Sequence, residues 1–432
     1  MGDRPLGLCS AHEAIASLLD TYGPEELKAF RAASLKRYCE QGVPTVRDEE
    51  WKYTPLRHLE EGPYGPAYGA TLDRDQIAMT SAGKLGGIVV PFVNGQYAPE
   101  LADLAVLPEG VVVTTLADAW ENLPAHVTER LGKIATLEGR LGSTNDTRFV
   151  DLNNAFLAEG AVVYLSRSAA LETHVHLLFV SQADHQPLAA HPRVLIVLEE
   201  NAEAKVVESY VGTGGEVLTN AVSEVYLGPH ARLEHVRYQD EPLDATHIGS
   251  VFVHQETASV YSSVNASFGG KVARVDLNVF VGGEHAETWL NGAYVGKGEQ
   301  VVDSHTRLDH AVPNCNSFEV YKGILDDRAV GVFNGKIFVY EDAQKTDAKQ
   351  TNQAILLSPT STINTKPQLE IFADDVKCTH GATVGQLRED ALFYLRARGI
   401  PETQARAILV YAFVAEVLEK IAIDPVRDAL EE

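Results

Sequence analysis

The chain is poor in sulfur and in positive charge. Its 432 residues include four cysteines and two methionines. Cys9, Cys39, Cys315 and Cys378 lie far apart, and no two of them stand in a CxxC. Such spacing argues against a disulfide framework and against a zinc or cluster site completed within one chain. Reduced thiols in a cytoplasmic protein are the expectation. Lys and Arg together number 36 against 60 acidic residues, a formal net charge of -24. A field of that sign repels phosphate backbones and anionic headgroups, and no basic run offsets it locally. Neither nucleic acid nor a membrane surface is an expected partner. No stretch approaches the roughly 20 apolar residues of a membrane helix. The first twenty residues lack an apolar centre flanked by positive charge, so they do not read as a secretory signal. Asn145 and Asn265 each begin an Asn-x-Ser/Thr sequon that a cytoplasmic chain leaves unused. Phosphate-binding loops are missing too: there is no GxxxxGK[ST], and no GxGxxG opening a helix.

What is present falls into three textures. In the first, 1–135, Ser10 is placed to cap a helix running to Asp20, with Ile15, Leu18 and Leu19 on one face. A second helix begins at Pro24, carries Glu25 and Glu26 at its positive end, and stops at Gly42. Short apolar runs at 87–92 and 110–115 read as strands. In the second, 136–382, strand follows strand: 194–198, 204–210, 221–227, 233–238, 248–255, 259–268, 275–281, 288–295, 301–308, 318–325 and 330–339. Most alternate apolar and polar residues, though 233–238 shows how imperfect the alternation is. The strands recur every ~10–15 residues without helical segments between them. A sandwich, a barrel and a β-helix all fit such a pattern. The length of the run favours a β-helix, although no strict sequence repeat is present.

The third texture, 383–432, has helical period. Thr383 and Gln386 fit a capping box, and Leu387, Ala391 and Leu395 share one face. Gly399 stops that helix and Pro401 opens the next, whose stripe of Ala405, Ile408, Leu409, Ala412 and Phe413 continues to Val417 and Ile421. These helices are expected to cap an open β core, to dock a partner, or both.

Several long motifs resemble a known family. They are FNGKI (333–337), AQKTDAKQTNQAILLSP (343–359), TKPQLEIFADDVKCTHGATVGQL (365–387) and LFYLRARGI (392–400), together with VPTVRDEEWKYTPL (43–56). All resemble the SufB/SufD family of iron–sulfur cluster assembly proteins. Within it, the two cysteines beyond the N-terminal region and Gly381 of CTHGATVG resemble the SufD branch. The resemblance implies a mainly β fold: a right-handed parallel β-helix core between an N-terminal α/β region and C-terminal helices. It implies a non-catalytic subunit that pairs with SufB through the β-helices and docks the SufC ATPase near its C-terminal helices. It further implies a transient iron–sulfur cluster or iron at the subunit interface and reduced flavin in the full complex, with no cofactor held tightly by the isolated chain. Alone, the chain could pair with a second copy of itself, as a homodimer, through the same edge, and the sequence does not decide whether it does. Two other readings are a SufB-branch primary scaffold and, from the enzyme class, a β-helix polysaccharide lyase or hydrolase.

Candidate residues follow. Cys378 and His380 are two apart, so on a strand both face one side. A thiolate with an imidazole suits iron or zinc, and two donors make half a site that a second subunit completes. In the SufD branch the matching histidine is proposed to join a SufB cysteine around the nascent cluster, and that role carries onto His380 with Cys378 beside it. The bland alternative is a core thiol and a hydrogen-bonded imidazole. Phe393, Tyr394, Arg396, Arg398 and Pro401 are the candidate SufC contact. His174 and His176 share the same spacing. His305 and His310, flanked by Asp303 and Asp309, have the composition of a carboxylate-rich metal site, but read as a solvated turn. Cys315 lies in a turn-rich segment. The EEWKY motif, 49–53, has no catalytic geometry, and its Trp51 and Tyr53 are expected to anchor packing.

Overall fold

The computed structural model describes residues 7–67, 71–104, 106–142, 146–184 and 186–431, so Asn145 lies outside the described residues. Its centre is a parallel β-helix of about eight coils flattened into two sheets. In chain order the strands are β1 (Ala161–Leu165), β2 (Val175–Gln182), β3 (Arg193–Leu198), β4 (Glu203–Gly214), β5 (Val217–Leu227), β6 (Arg232–Asp240), β7 (Thr246–Gln255) and β8 (Val260–Ser267). There follow β9 (Val272–Val281), β10 (Glu287–Gly296), β11 (Val301–His310), β12 (Asn316–Leu325), β13 (Val330–Val339), β14 (Asp347–Leu356), β15 (Thr362–Ile371) and β16 (Lys377–Gly385). Odd strands form one sheet and even strands the other, each paired in parallel with the strand one coil away. No crossover helix is needed because the sheet winds on itself.

The repeat is one of shape rather than of letters. Val272 pairs with Val301 and Val301 with Val330, 29 residues apart each time. At one corner of successive coils stands a residue in the left-handed region: Asn201, His230, Ala258, His285, Asn314 and Lys345. Each precedes a small buried side chain, namely Ala202, Ala231, Ser259, Ala286, Cys315 and Thr346. Corner N–H groups then bond up the stack, as from His230 to Thr257 O and from Asn314 to Gln344 O. Cys315 is therefore a buried corner residue doing the work that alanine does in neighbouring coils. A period near 30 residues is a solenoid signal, hidden here because the corner tolerates several residue types.

Both faces of most strands are covered, which is why alternation fails. The inner face of β6 carries Leu233, His235 and Arg237, while Val236 and Tyr238 pack outside. Inside, the Glu208 carboxylate accepts from Tyr210 Oη at 2.6 Å, Ser223 Oγ at 2.9 Å and Arg237 Nε at 3.2 Å, and meets His235 Nε2 at 2.9 Å. A charge this deep survives only when its oxygens are shared among such partners. Large rings in the interior lie on glycine: a Cβ on Gly292 would stand 2.2 Å from the Tyr321 ring, and one on Gly323 2.1 Å from that of Tyr294. Asn265 is inside this packing, 4% exposed, so its sequon is closed to modification.

The two ends differ. At the first coils, Ile88–Val93 pairs in parallel with β2, and Val111–Thr115 lies antiparallel to β1. Helices α1 (Leu8–Leu19), α2 (Glu25–Gln41) and α3 (Arg148–Ala155) belong to the layer over the odd sheet, where Tyr38, Trp51 and Phe149 join Leu218 and Ile248 in one cluster. Cys9 and Cys39 form a disulfide between α1 and α2, with a Cα–Cα distance of 6.1 Å. This corrects the expectation of four free thiols: the turn between the helices brings together positions 30 apart in sequence. The cap of α1 is Gly7 rather than Ser10, which lies in the first turn.

The C-terminal helices are α4 (Glu389–Arg396), α5 (Glu402–Leu418) and α6 (Asp424–Glu431). Thr383 caps none of them, because β16 continues to Gly385 through pairing of Thr383 with Gln353. Ladder hydrogen bonds to β14 outweigh the local capping signal. Nor do these helices close the last coil. Val417, Leu418 and Ile421 lie on the outer face of the even sheet with Val236, Val264 and Ala293. Lys322 Nζ fastens α5 there, at 2.9 Å from Phe413 O and 2.6 Å from Glu416. Among the described residues no helix is long and apolar enough to cross a membrane.

Gly323→Ala is expected to lower the melting temperature, costing about 1–3 kcal/mol through displacement of the Tyr294 ring. Gly381→Ala, where nothing lies within 4 Å of the added methyl, is expected to be neutral in the same thermal melt.

Candidate functional site

Strands β15 and β16 end the two sheets, and among the described residues neither has a neighbour beyond the last coil. Ile371, Phe372 and Val384 stand exposed there at 41%, 54% and 46%. In register, Cys378 lies beside Ala348, His380 beside Gln350 and Ala382 beside Asn352. Ala348, Gln350 and Asn352 form the buried inner row of β14. Cys378 and His380 therefore continue the interior row into the uncovered coil, on one face as their spacing requires. Cys378 is half-buried against the core, and burial pushes its thiol up. His380 is exposed. Beneath it, Gln350 Nε2 donates to the buried Glu319 carboxyl at 2.7 Å. Burial pushes that carboxyl up to about 7, against the lowering effect of hydrogen bonds from Thr306 and Gln350. Among the described residues no three His, Cys, Asp or Glu side chains converge to hold a metal. Cys378 and His380 are thus a two-donor set open on the side away from the core.

The other histidines are occupied. His174 Nε2 meets Leu85 O at 3.1 Å, and His176 Nε2 meets Ser209 Oγ at 2.8 Å. His310 lies inside, 2.9 Å from Ser317 Oγ, and burial pushes it down to about 3. Asp309 is buried with Arg307 at 2.7 Å and Arg140 at 3.3 Å. The segment holding these residues is not a solvated turn: all four lie on β11, and Asp303, His305 and Asp309 are covered on its outer face.

Over Asp303 and His305 that cover is the EEWKY motif, whereas Asp309 is closed off by Arg140 and Tyr340. Trp51 is 2% exposed and receives the Arg274 guanidinium 3.8 Å from its ring centre. Arg274 also binds Asp276 at 2.8 Å and Asp303 at 3.1 Å, while His305 Nε2 meets Asp303 at 3.0 Å. Glu50 reaches Lys336 at 2.6 Å and His305 at 3.5 Å, and Glu49 reaches Lys366 at 2.7 Å. One short segment so clasps β9, β11, β13 and β15. Trp51 anchors as its size suggested, whereas Tyr53 stays 42% exposed. No sequence signal linked Glu50 to partners more than 250 positions away.

Of the expected partner contacts, Phe393 and Tyr394 are 74% and 55% exposed on α4. Arg398 stacks its guanidinium 3.3 Å from the Tyr394 ring centre, and Arg396 reaches Glu402 at 3.2 Å. Pro401 is the N-cap of α5. Phe393 and Arg396 line a cleft of about 500 Å³ with Leu356, Pro359 and Leu387, beside the last coil.

Two family profiles match consecutive parts of the sequence. Residues 9–177 match the SufBD protein N-terminal region, and residues 179–413 match the SUF system FeS cluster assembly SufBD core domain. An iron-sulfur cluster assembly SufBD family protein of Synechocystis is 34% identical over 403 residues, covering 90% of this chain and 86% of the relative. The iron-sulfur cluster assembly protein SufD of Escherichia coli is 31% identical, covering 90% and 87%. The chloroplastic protein ABCI7 of Arabidopsis thaliana is 30% identical, covering 93% and 84%.

Burial works to raise the Glu50 carboxyl, but hydrogen bonds from His305 and Lys336 and their charges outweigh it and hold it at about 2. Its folded pKa lies below its ordinary value of 4.5. Its stabilisation is therefore complete above that value and lost as pH falls through about 2. Glu50→Gln is expected to cost on the order of 3 kcal/mol at neutral pH in denaturant titration, with the gap to wild type narrowing progressively below pH ~4.5.

Proposed function

Because the chain belongs to the SUF system FeS cluster assembly SufBD family, we propose that it acts as a SufD-type accessory scaffold whose last coil pairs with a SufB-type subunit. The observation that carries this reading is the uncovered coil itself. It offers two strand edges with free backbone donors and acceptors, apolar side chains around them, and an inward row ending in Cys378 and His380. An exposed edge of this kind is a pairing template. A second β-helix stacked on it would extend both sheets and add the donors that His380 and Cys378 lack. The nascent cluster, or its iron, is cargo held at that junction. Isolated, the chain would use the same edges to pair with a second copy of itself.

The chain's own residues would orient the junction and lend donors, while ATP chemistry belongs to a SufC-type partner. We assign that partner to α4 and the start of α5. Phe393 and Tyr394 supply exposed aromatic surface, Arg398 braces Tyr394, and Arg396 with Pro401 sets the bend between the helices. Reduced flavin belongs to the complete assembly. The cytoplasm is the proposed compartment, where Cys378 would stay a free thiol and the Cys9–Cys39 pair would stand reduced. The polysaccharide-active reading is set aside by the family.

In the intact assembly with SufB-type and SufC-type partners, His380→Ala is expected to lower cluster formation at least ten-fold, the usual scale for loss of a metal-site residue. The variant should still fold, which a thermal melt checks, because His380 is exposed at the end of the last coil. Unchanged cluster formation would leave His380 as packing. A stable iron–sulfur chromophore on this chain alone would overturn the accessory assignment.

A further inference from the structure

The inner row of the even sheet runs Leu290, Glu319, Gln350, His380, one residue per coil. Neighbouring strands stand ~4.8 Å apart, within reach of side-chain hydrogen bonds along the row. Glu319 and Gln350 are 3% and 1% exposed. The Gln350 amide nitrogen is committed to Glu319, at 2.7 Å. Its carbonyl oxygen Oε1 is buried and has no partner among the described residues. The space around the amide is kept clear by Gly335, where a Cβ would lie 2.2 Å from Gln350 Nε2. Buried carbonyls are seldom left without a donor, and the next side chain in the row is the His380 imidazole.

We propose that Gln350 and Glu319 are positioning residues for His380: the Gln350 carbonyl accepts one imidazole N–H, so that the other ring nitrogen is presented, with its lone pair, to the open end. Glu319 holds the amide the right way round by accepting from its NH₂ group, which turns the carbonyl away from Glu319 and toward His380. An imidazole that binds a metal needs its other N–H fixed in this way, and the usual fixing group is a carbonyl or carboxylate. This column supplies that group from the protein interior, before any partner or cargo arrives. The proposal rests on the reading of His380 as a donor; in the structure Gln350 Oε1 stands buried and unpartnered, and the bond forms when the exposed His380 ring turns onto it.

The test uses the full chain, labelled with ¹⁵N in histidine, with His380→Ala identifying the His380 resonances. Long-range ¹H–¹⁵N spectra above the imidazole titration are expected to show His380 in a single neutral tautomer. In Gln350→Leu the two tautomers should interconvert and their nitrogen shifts average. Glu319→Gln keeps an acceptor for the amide and should retain the single tautomer, whereas Glu319→Leu should not. Should Gln350→Leu fail to fold, the volume-conserving Gln350→Met and the Glu319 pair decide the matter. A single His380 tautomer that survives in folded Gln350 variants, or mixed tautomers already in wild type, would overturn the proposal. No cluster, SufB-type or SufC-type partner enters this measurement, which is made on monomer separated from any self-paired dimer. Its failure is thus separable from a failure of His380→Ala to affect the assembly, which would sink the donor reading and leave the column intact. In the complete assembly, Gln350→Leu is further expected to lower cluster formation about ten-fold.

Discussion

Hydrogen bonding of every strand to the one a coil away, in unbroken register, is the constraint on which the rest of this molecule depends. A slip of one residue would exchange inner and outer faces along a whole strand. Register is what sets Tyr321 over Gly292 and Tyr294 against Gly323, and what stacks small corner residues from Ala202 to Thr346 in one line. It is also what carries a row of interior positions from the middle of the solenoid to its end. The position that is His235 in one coil becomes Glu319, then Gln350, then His380. The candidate site is the last member of a packed column rather than a decoration added to a surface.

An interior built this way pays heavily for polar groups, yet it contains Glu208, His235, Arg237, Glu241 and His247. Each is held by partners on the same or adjacent coils; Glu241, for example, meets His247 at 2.9 Å and Gln239 at 3.2 Å. Such networks contribute little net stability compared with well-packed apolar residues, but breaking one partner exposes the others to an uncompensated desolvation cost. The outer face of the odd sheet follows the same logic, with Arg274, Asp303, His305 and Glu50 paired by charge under Trp51. The clasp fastens the N-terminal region to four successive coils, the last of which, β15, borders the open end through Lys366.

The asymmetry of the two ends is where fold meets function. Strands from the N-terminal region occupy the edges of the first coil, but nothing among the described residues occupies those of the last, and α5 packs on the outer face of earlier even strands instead. Proteins usually blunt such edges, because free ladder groups recruit other strands. An edge left open, with a half-complete donor pair in its inner row, is suited to joining another chain.

Much of this was legible in the sequence. Alternation at 204–210, 259–268 and 301–308 marked strands, the absence of helices between them left a sandwich, a barrel or a β-helix, and the length of the run favoured the β-helix. The two-residue spacing of Cys378 and His380 fixed their common face once a strand was granted, and the long C-terminal motifs carried the family. These are local properties, set by the side-chain period of the strand and by chain order. Tertiary structure decided what local chemistry leaves open. Thr383 signals a helix cap, yet ladder bonds to β14 make it strand. His305 and Asp303 look solvated until the segment around Glu50 covers them from over 250 residues away. Cys9 and Cys39 are remote in sequence and bonded in space. That Gln350 lies between Glu319 and His380 follows from the coil length alone, a quantity no single strand encodes.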